Sequence, residues 1–132
     1  MRIVGLDHMV LTVRDLEATL HFYVDILGLE LDSRGGRHAL RFGDQKINLH
    51  RRKAEFLPAA ANVAYGSADF CLVAHGNIGA IRDLLVARGG TLEIPDIVDR
   101  NGALGPMRSV YLRDPDGNLV EIAVYPESGE VR

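Results

Sequence analysis

The chain has a single cysteine in 132 residues and no long apolar run. One cysteine excludes a disulfide within the chain, and its place in the apolar stretch "DFCLVA" predicts that Cys71 is buried as a small hydrophobe. No run approaches the roughly 20 apolar residues that a membrane-spanning helix needs. The start "MRIVGLDH" lacks the apolar core of a signal peptide. We therefore expect a cytoplasmic protein that is not inserted in a membrane.

An excess of positive charge is also missing, because 15 basic and 18 acidic side chains leave a net charge of −3. This balance gives no reason to expect nucleic acid or an anionic membrane as a partner. The short basic cluster at 51–53 is expected to lie on a solvated edge. A hydrophobic share of 47% and this length are typical of one globular domain, which we expect to span 1–132.

The chain contains an internal repeat. Laid over "GSADFCLVA" (66–74), "GLDHMVLTV" (5–13) aligns Gly5 with Gly66 and His8 with Asp69, and the same offset of 61 aligns Gly28 with Gly89. The order of predicted elements repeats as well. We expect one module at 3–51, a linker at 52–65 and a second module at 66–125.

Each module is predicted to run strand, helix, then three strands. In the first helix, apolar residues recur with a 3.6-residue period between a capping Asp15 and a terminating Gly28. The turn "DPDGN" (114–118) separates the last two strands, while 96–107 is expected to be an extra loop. The predicted strands are 5–13, 29–34, 38–42 and 46–50 in the first module, and 67–74, 91–97, 107–113 and 118–124 in the second.

This pattern predicts an α+β fold in which two βαβββ modules form a curved, barrel-like mixed sheet around a cavity. Alternation along the last strand of each module shows which side chains would line that cavity. Glu121 shares a face with the small apolar side chains of "NLVEIAVY", whereas Asn48 and His50 share a face in "KINLH". Paired concave faces would bring these residues towards His8 and Asp69. Imidazole with carboxylates suits a divalent metal such as Zn, Mn, Fe or Ni.

Two segments carry a resemblance to a known superfamily. "LDHMVLTVRDLEATLHFYVDILGLEL" near the start and "YLRDPDGNLVEIAVY" near the end are similar to the vicinal oxygen chelate superfamily. That superfamily includes glyoxalase I, the bleomycin and fosfomycin resistance proteins, and the extradiol dioxygenases. The closer resemblance is to a subgroup of small glyoxalase-domain-containing proteins. It implies a glyoxalase-like fold and a homodimer.

Carried over position by position, the resemblance implies that His8 and Glu121 are metal ligands. Asp69 stands where the superfamily often has a histidine, and it is expected to be a further ligand or a general base. Asn48 stands where glyoxalase I has a glutamate, and His50, two residues further on, is expected to complete the metal site. These departures weaken the comparison with lactoylglutathione lyase in particular. Glu121 and Asp69 are the expected catalytic residues.

Four further residues are candidates for contact with a small-molecule substrate, as is Asn48. Ser109 and Tyr111 alternate to one face of the strand before "DPDGN". Arg100 and Asn101 lie in the expected extra loop, where they could hold an anionic group.

Three functions of different class remain open. The first is a metal-dependent lyase or isomerase of glyoxalase type, acting on a small 2-oxo or hydroxy-carbonyl substrate. The second is an extradiol-type dioxygenase, which would consume O₂ with a catechol. The third is a metal-free protein that binds a small molecule such as an antibiotic. The pairing of His8 with Glu121 favours an enzyme, because a sequestering cavity has no use for convergent ligands.

Overall fold

The computed structural model describes residues 1–126. It contains two four-stranded mixed sheets with a helix after the first strand of each, so the expected α+β class with two βαβββ modules is confirmed. The chain divides into two units. The first unit comprises Met1–Ser67 and Pro115–Gly117, and the second comprises Ala68–Asp114 and, among the described residues, 118–126.

The first unit has the strand order β1-β4-β3-β2, in which β1 pairs with β4 in parallel and the other pairs are antiparallel. Its helix begins as α-helix and continues as a π-helical segment. The elements are β1 (His8–Thr12), α1 (Leu16–Leu20), the π-helical segment (His21–Ile26), β2 (Glu30–Arg34), β3 (Arg37–Phe42) and β4 (Gln45–His50).

The first helix begins where the sequence predicts. The Asp15 carboxylate accepts a hydrogen bond from the Ala18 backbone N–H at 3.1 Å, which satisfies one of the unpaired donors of the first turn. The wider π-helical turn buries Phe22, Tyr23 and Ile26. One face of the sheet is buried as well, with Leu11, Leu40, Ile47 and Leu49 at 3% exposure or less. Because side chains alternate along a strand, this burial leaves the polar residues of β3 and β4 on the opposite face.

The second unit repeats this arrangement with the strand order β5-β8-β7-β6. Again the first and last strands pair in parallel. The predicted alternation in the last strand is confirmed, since Val120, Ile122 and Val124 are all buried. The elements are β5 (Asp69–Val73), α2 (Ile78–Ala87), β6 (Val98–Gly102), β7 (Gly105–Arg113) and β8 (Leu119–Val124).

The prediction of an extra loop at 96–107 is wrong, because most of this segment forms a hairpin. Strand β6 pairs with β7 through a two-residue turn that is closed by Gly102 opposite Gly105. Gly105 has a φ of 122°, a conformation that favours glycine. The strand predicted at 91–97 is reduced to a single bridge between Leu92 and Leu112.

The turn between β7 and β8 forms as predicted, with Gly117 at a positive φ of 93°. Two buried side chains hold its ends together. The Asn118 backbone N–H and side-chain amide donate to the two Asp114 carboxylate oxygens at 2.9 and 2.8 Å. The Asn118 amide oxygen also accepts from the Ala68 N–H at 2.8 Å, which fixes the chain entering β5. Within residues 1–126, no helix has the length and apolar character needed to cross a membrane.

Candidate functional site

His8 lies at the start of β1 with its ring about half exposed. Its Nδ1 is 2.7 Å from the Asp7 carboxylate. The hydrogen bond with His8 lowers the pKa of the Asp7 carboxyl below its usual value, so Asp7 is ionised at neutral pH and can only accept. Nδ1 is therefore the donor of this bond, and Nε2 is the ring nitrogen that remains for a ligand. Metal-binding histidines are commonly held by a carboxylate in this way.

His50 does not come near His8 within the first sheet. In the parallel β1–β4 pair, His8 is opposite Lys46, whereas His50 is opposite Thr12. Four residues of strand separate the two positions, which is about 13 Å. One ion cannot bind both side chains at this spacing. The His50 ring instead meets the Phe56 ring at 5.2 Å between centroids.

Asn48 and His50 line a cavity of about 270 Å³ on the polar face of the first sheet. The cavity is strongly basic, with one carboxylate, Asp32, among its lining residues. Its basic side chains were not singled out from the sequence, although the alternation in "RHALR" (37–41) and "KINLH" (46–50) places all but Arg34 on this face. They are Arg34, Arg37, Arg41 and Lys46.

Glu121 lies on the polar face of the second sheet and is half-buried. Its Oε2 accepts a hydrogen bond of 2.6 Å from the hydroxyl of Ser109, a residue that is fully buried. Tyr111 is directly opposite Glu121 on β7. Burial raises the pKa of the Tyr111 hydroxyl, the Arg100 hydrogen bond acts against this rise, and the Glu121 charge adds to it. The predicted common face of Ser109 and Tyr111 is thus the face of Glu121.

Arg100 and Asn101 lie on strand β6 rather than in a loop. The Arg100 Nε donates to the Tyr111 hydroxyl oxygen at 2.9 Å, so Arg100 lies on the Glu121 face. Asn101 is the next residue and is opposite Pro106, which places it on the other face. The strand therefore separates these two candidates instead of pairing them around one anionic group.

Asp69 is exposed at the start of β5, opposite Leu119. The direct neighbour of Glu121 on β5 is Cys71. Cys71 is exposed, so its expected burial is wrong. Partial desolvation raises the pKa of its thiol to about 11, and the Glu121 charge acts in the same direction. The thiol is therefore protonated at neutral pH, which does not suit a nucleophile.

The donor chemistry fits a metal at some of the predicted positions and not at others. Within residues 1–126, no group of three or more His, Cys, Asp and Glu side chains is arranged to hold an ion. His8 has a free Nε2 and a supporting carboxylate, and the Glu121 carboxylate is held in place by Ser109. Each therefore has the chemistry of a ligand. His50 does not fit beside His8 because of the strand register.

The protein-family model that matches is the Glyoxalase/Bleomycin resistance protein/Dioxygenase superfamily, over residues 5–122. Virulence protein STM3117 of Salmonella typhimurium is 44% identical over 122 residues, which are 91% of this chain and 83% of that protein. An integron cassette protein of V. cholerae, VCH_CASS1, has a solved structure that is 46% identical. It superposes with a TM-score of 0.90 over 96% of this chain and 98% of the other.

A more distant solved structure is named for an enzyme. Lactoylglutathione lyase from Agrobacterium tumefaciens is 26% identical and superposes with a TM-score of 0.69, over 93% of this chain and 95% of that one. The resemblance read from the two terminal motifs is therefore confirmed. This chain belongs to the Glyoxalase/Bleomycin resistance protein/Dioxygenase superfamily.

Proposed function

We propose that this protein is a metal-dependent enzyme of glyoxalase type, a lyase or isomerase acting on a small 2-oxo or hydroxy-carbonyl substrate. The observation that carries the proposal is the Asp7–His8 pair, in which the carboxylate holds the imidazole with Nε2 available. A histidine ligand gains affinity and a defined orientation from such a pair. The exposed His21 has a similar carboxylate partner, Asp25, but His8 also stands where the superfamily resemblance implies a metal ligand.

In this proposal His8 and Glu121 are ligands of a divalent cation, of which Ni, Zn, Mn and Fe are the candidates. The bound metal would act as a Lewis acid towards adjacent substrate oxygens. Ser109 donates to one Glu121 oxygen, which holds the carboxylate in place for the ion. Asp69 is exposed and lies on the same face of β5 as Cys71, two residues away. It is our candidate for the proton acceptor.

Tyr111 and Arg100 form the substrate-facing part of the second sheet in this proposal. Their hydrogen bond of 2.9 Å fixes the phenol and the guanidinium relative to Glu121. Since the Tyr111 pKa is raised, its hydroxyl stays protonated at neutral pH, and it hydrogen-bonds Glu121 as well as Arg100. The resemblance also supports a homodimer, which sedimentation would test, and cell fractionation would test the expected cytoplasmic location.

The test of the ligands is a metal titration of chelator-treated protein, followed by calorimetry. We expect wild-type protein to bind one ion per chain and the His8→Ala and Glu121→Ala variants to bind much more weakly. His21→Ala is a matched control, because His21 also pairs with a carboxylate, Asp25, at 2.9 Å. If wild-type protein binds none of Ni, Zn, Mn and anaerobic Fe(II), the metal-dependent proposal is wrong.

The reaction type needs a second experiment on the metal-loaded protein. We expect 2-oxoaldehydes, offered with and without a thiol, to be converted without O₂ uptake. O₂ consumption with a catechol would instead indicate an extradiol-type dioxygenase. The metal-free binding protein is a further candidate, because His50 is too far along the sheet to share an ion with His8. Unchanged small-molecule binding in His8→Ala, with no turnover, would favour it.

A further inference from the structure

We propose that the basic cavity of the first sheet binds the oxyanion group, a carboxylate or a phosphate, of a small organic molecule. Its volume of about 270 Å³ is near the lower end of the roughly 300–1,000 Å³ found for ligand pockets. The chain as a whole has a net charge of −3, so this concentration of positive charge is local.

The one carboxylate that lines the cavity does not neutralise the positive charges of its basic side chains. Asp32 is the lining carboxylate, and it accepts hydrogen bonds from Arg34 at 2.9 Å and from Arg41 at 2.7 Å. Both of its oxygens are therefore engaged. Two further cations, Arg37 and Lys46, have no carboxylate within salt-bridge distance among the residues that the structure describes, and of these two only Lys46 feels the more distant charge of Asp7. An anionic ligand would supply the missing partner.

Arg37 is oriented for such a ligand. Its guanidinium lies over the Phe56 ring at 4.0 Å from the centroid, and the His50 ring contacts the edge of the same phenyl group. This contact restrains the guanidinium, whose planar N–H fork matches a carboxylate or phosphate. Asn48 adds an amide donor to the same lining.

Protection of a sheet edge does not explain these cations. Lysine and arginine on an edge strand discourage pairing with another chain. Arg37 lies on β3 and Lys46 on β4, which are the two central strands of the order β1-β4-β3-β2. Protection of a sheet edge can explain only Arg34 among these cations, because β2 is an edge strand. The cations on the central strands are better explained by a ligand.

The cavity adjoins the proposed metal ligand, because Lys46 is the cross-strand partner of His8. Arg37 lies at the His50 end of β4, about four residues from Lys46, so an oxyanion held by Arg37 would belong to a substrate whose other end extends past Lys46 towards His8. The assignment of this ligand as the substrate rests on the proposed function. The binding of the oxyanion itself does not, and it can be measured without a metal.

The experiment is calorimetric titration of the chelator-treated full chain at low ionic strength, with inorganic phosphate and with malonate as probes. Low salt is needed because screening weakens exposed charge pairs. We expect Arg37→Gln to weaken binding by about tenfold, the effect of losing one charged hydrogen bond, and Lys46→Gln to weaken it less, through the loss of a more distant charge. Arg82→Gln is the matched control, since Arg82 is a helix-surface cation in the other unit.

Equal binding by the wild type and by the Arg37→Gln/Lys46→Gln double variant would overturn the proposal, as would no binding of either anion. A thermal melt of each variant shows whether the fold is retained, and both positions tolerate glutamine because neither side chain is fully buried. Preference for malonate indicates a carboxylate ligand, and preference for phosphate indicates a phosphorylated one. Anion binding without metal binding would leave this inference standing while the proposed function fails.

Discussion

The two units have the same element order and the same strand order, but the polar faces of their sheets carry opposite chemistry. In the first unit, Val10 on β1 and Ala39 on β3 flank Asn48, and in the second, Cys71 and Tyr111 flank Glu121 at the equivalent register. The first face is rich in arginine and lysine, and the second presents carboxylates with hydroxyl groups. The faces opposite are apolar and buried in both sheets, so the two units share their packing and differ in the side chains around Asn48 and Glu121.

The largest expected effect is a loss of activity on substitution of Glu121, compared with substitution of Asn48 at the equivalent position. Glu121→Gln keeps the shape of the side chain but removes the charge that would bind a cation, and we expect kcat/KM to fall by at least about 10²-fold. Asn48→Ala, at the equivalent position, should retain the metal and change mainly KM. Steady-state kinetics with metal analysis of both variants checks this. Equal losses of metal at the two positions would show that the units do not differ in this role.

The turns that join the last two strands of each unit provide the second comparison. Asn118→Ala removes an amide that bonds Asp114 and the Ala68 N–H in a buried setting, so we expect a loss of about 1–3 kcal/mol in the free energy of unfolding. Asp44→Ala, in the exposed turn between β3 and β4, should change stability by less than about 0.5 kcal/mol. Urea denaturation of both variants measures the difference. Equal effects would contradict a structural role for the buried turn.

The smallest expected effect concerns Asp32 in the basic cavity. The Arg41 hydrogen bond is the first cause that lowers the pKa of Asp32 below its usual value. A lowered pKa in the folded state means that the ionised carboxylate favours folding. This contribution is complete above the usual aspartate pKa and is lost as the pH falls through the folded-state value. We expect Arg41→Gln to raise the pKa of Asp32 more than Arg34→Gln does, which an NMR titration would detect.

The buried half of each sheet could be predicted from the sequence, because burial imposes a period of two on a strand. The alternation of Val120, Ile122 and Val124 gave the face of Glu121 directly, and the capping Asp15 gave the start of the first helix. The turn "DPDGN" was equally predictable, since glycine favours the positive φ that its fourth position requires.

Register and polar hairpins could not be predicted in the same way. The alternation in "KINLH" shows that Asn48 and His50 share a face, but it does not show which residue of β1 lies opposite each of them. The distance between His8 and His50 therefore follows only from the register of the β1–β4 pair. The β6–β7 hairpin contains "DRNG", whose residues have low strand propensity, and it therefore resembled a loop. The stacking of Arg37 on Phe56 joins β3 to the expected linker, which no local pattern indicates.

The central claim is that His8, supported by Asp7, binds a metal ion. The most direct test is elemental analysis of protein purified without a histidine tag, comparing the wild type with His8→Ala and with the His21→Ala control. We predict close to one divalent metal per chain in the wild type and in His21→Ala, and a loss of that metal in His8→Ala with the fold retained. Equal metal content in all three proteins, or none in the wild type even after incubation with Ni, Zn, Mn and anaerobic Fe(II), would contradict the claim.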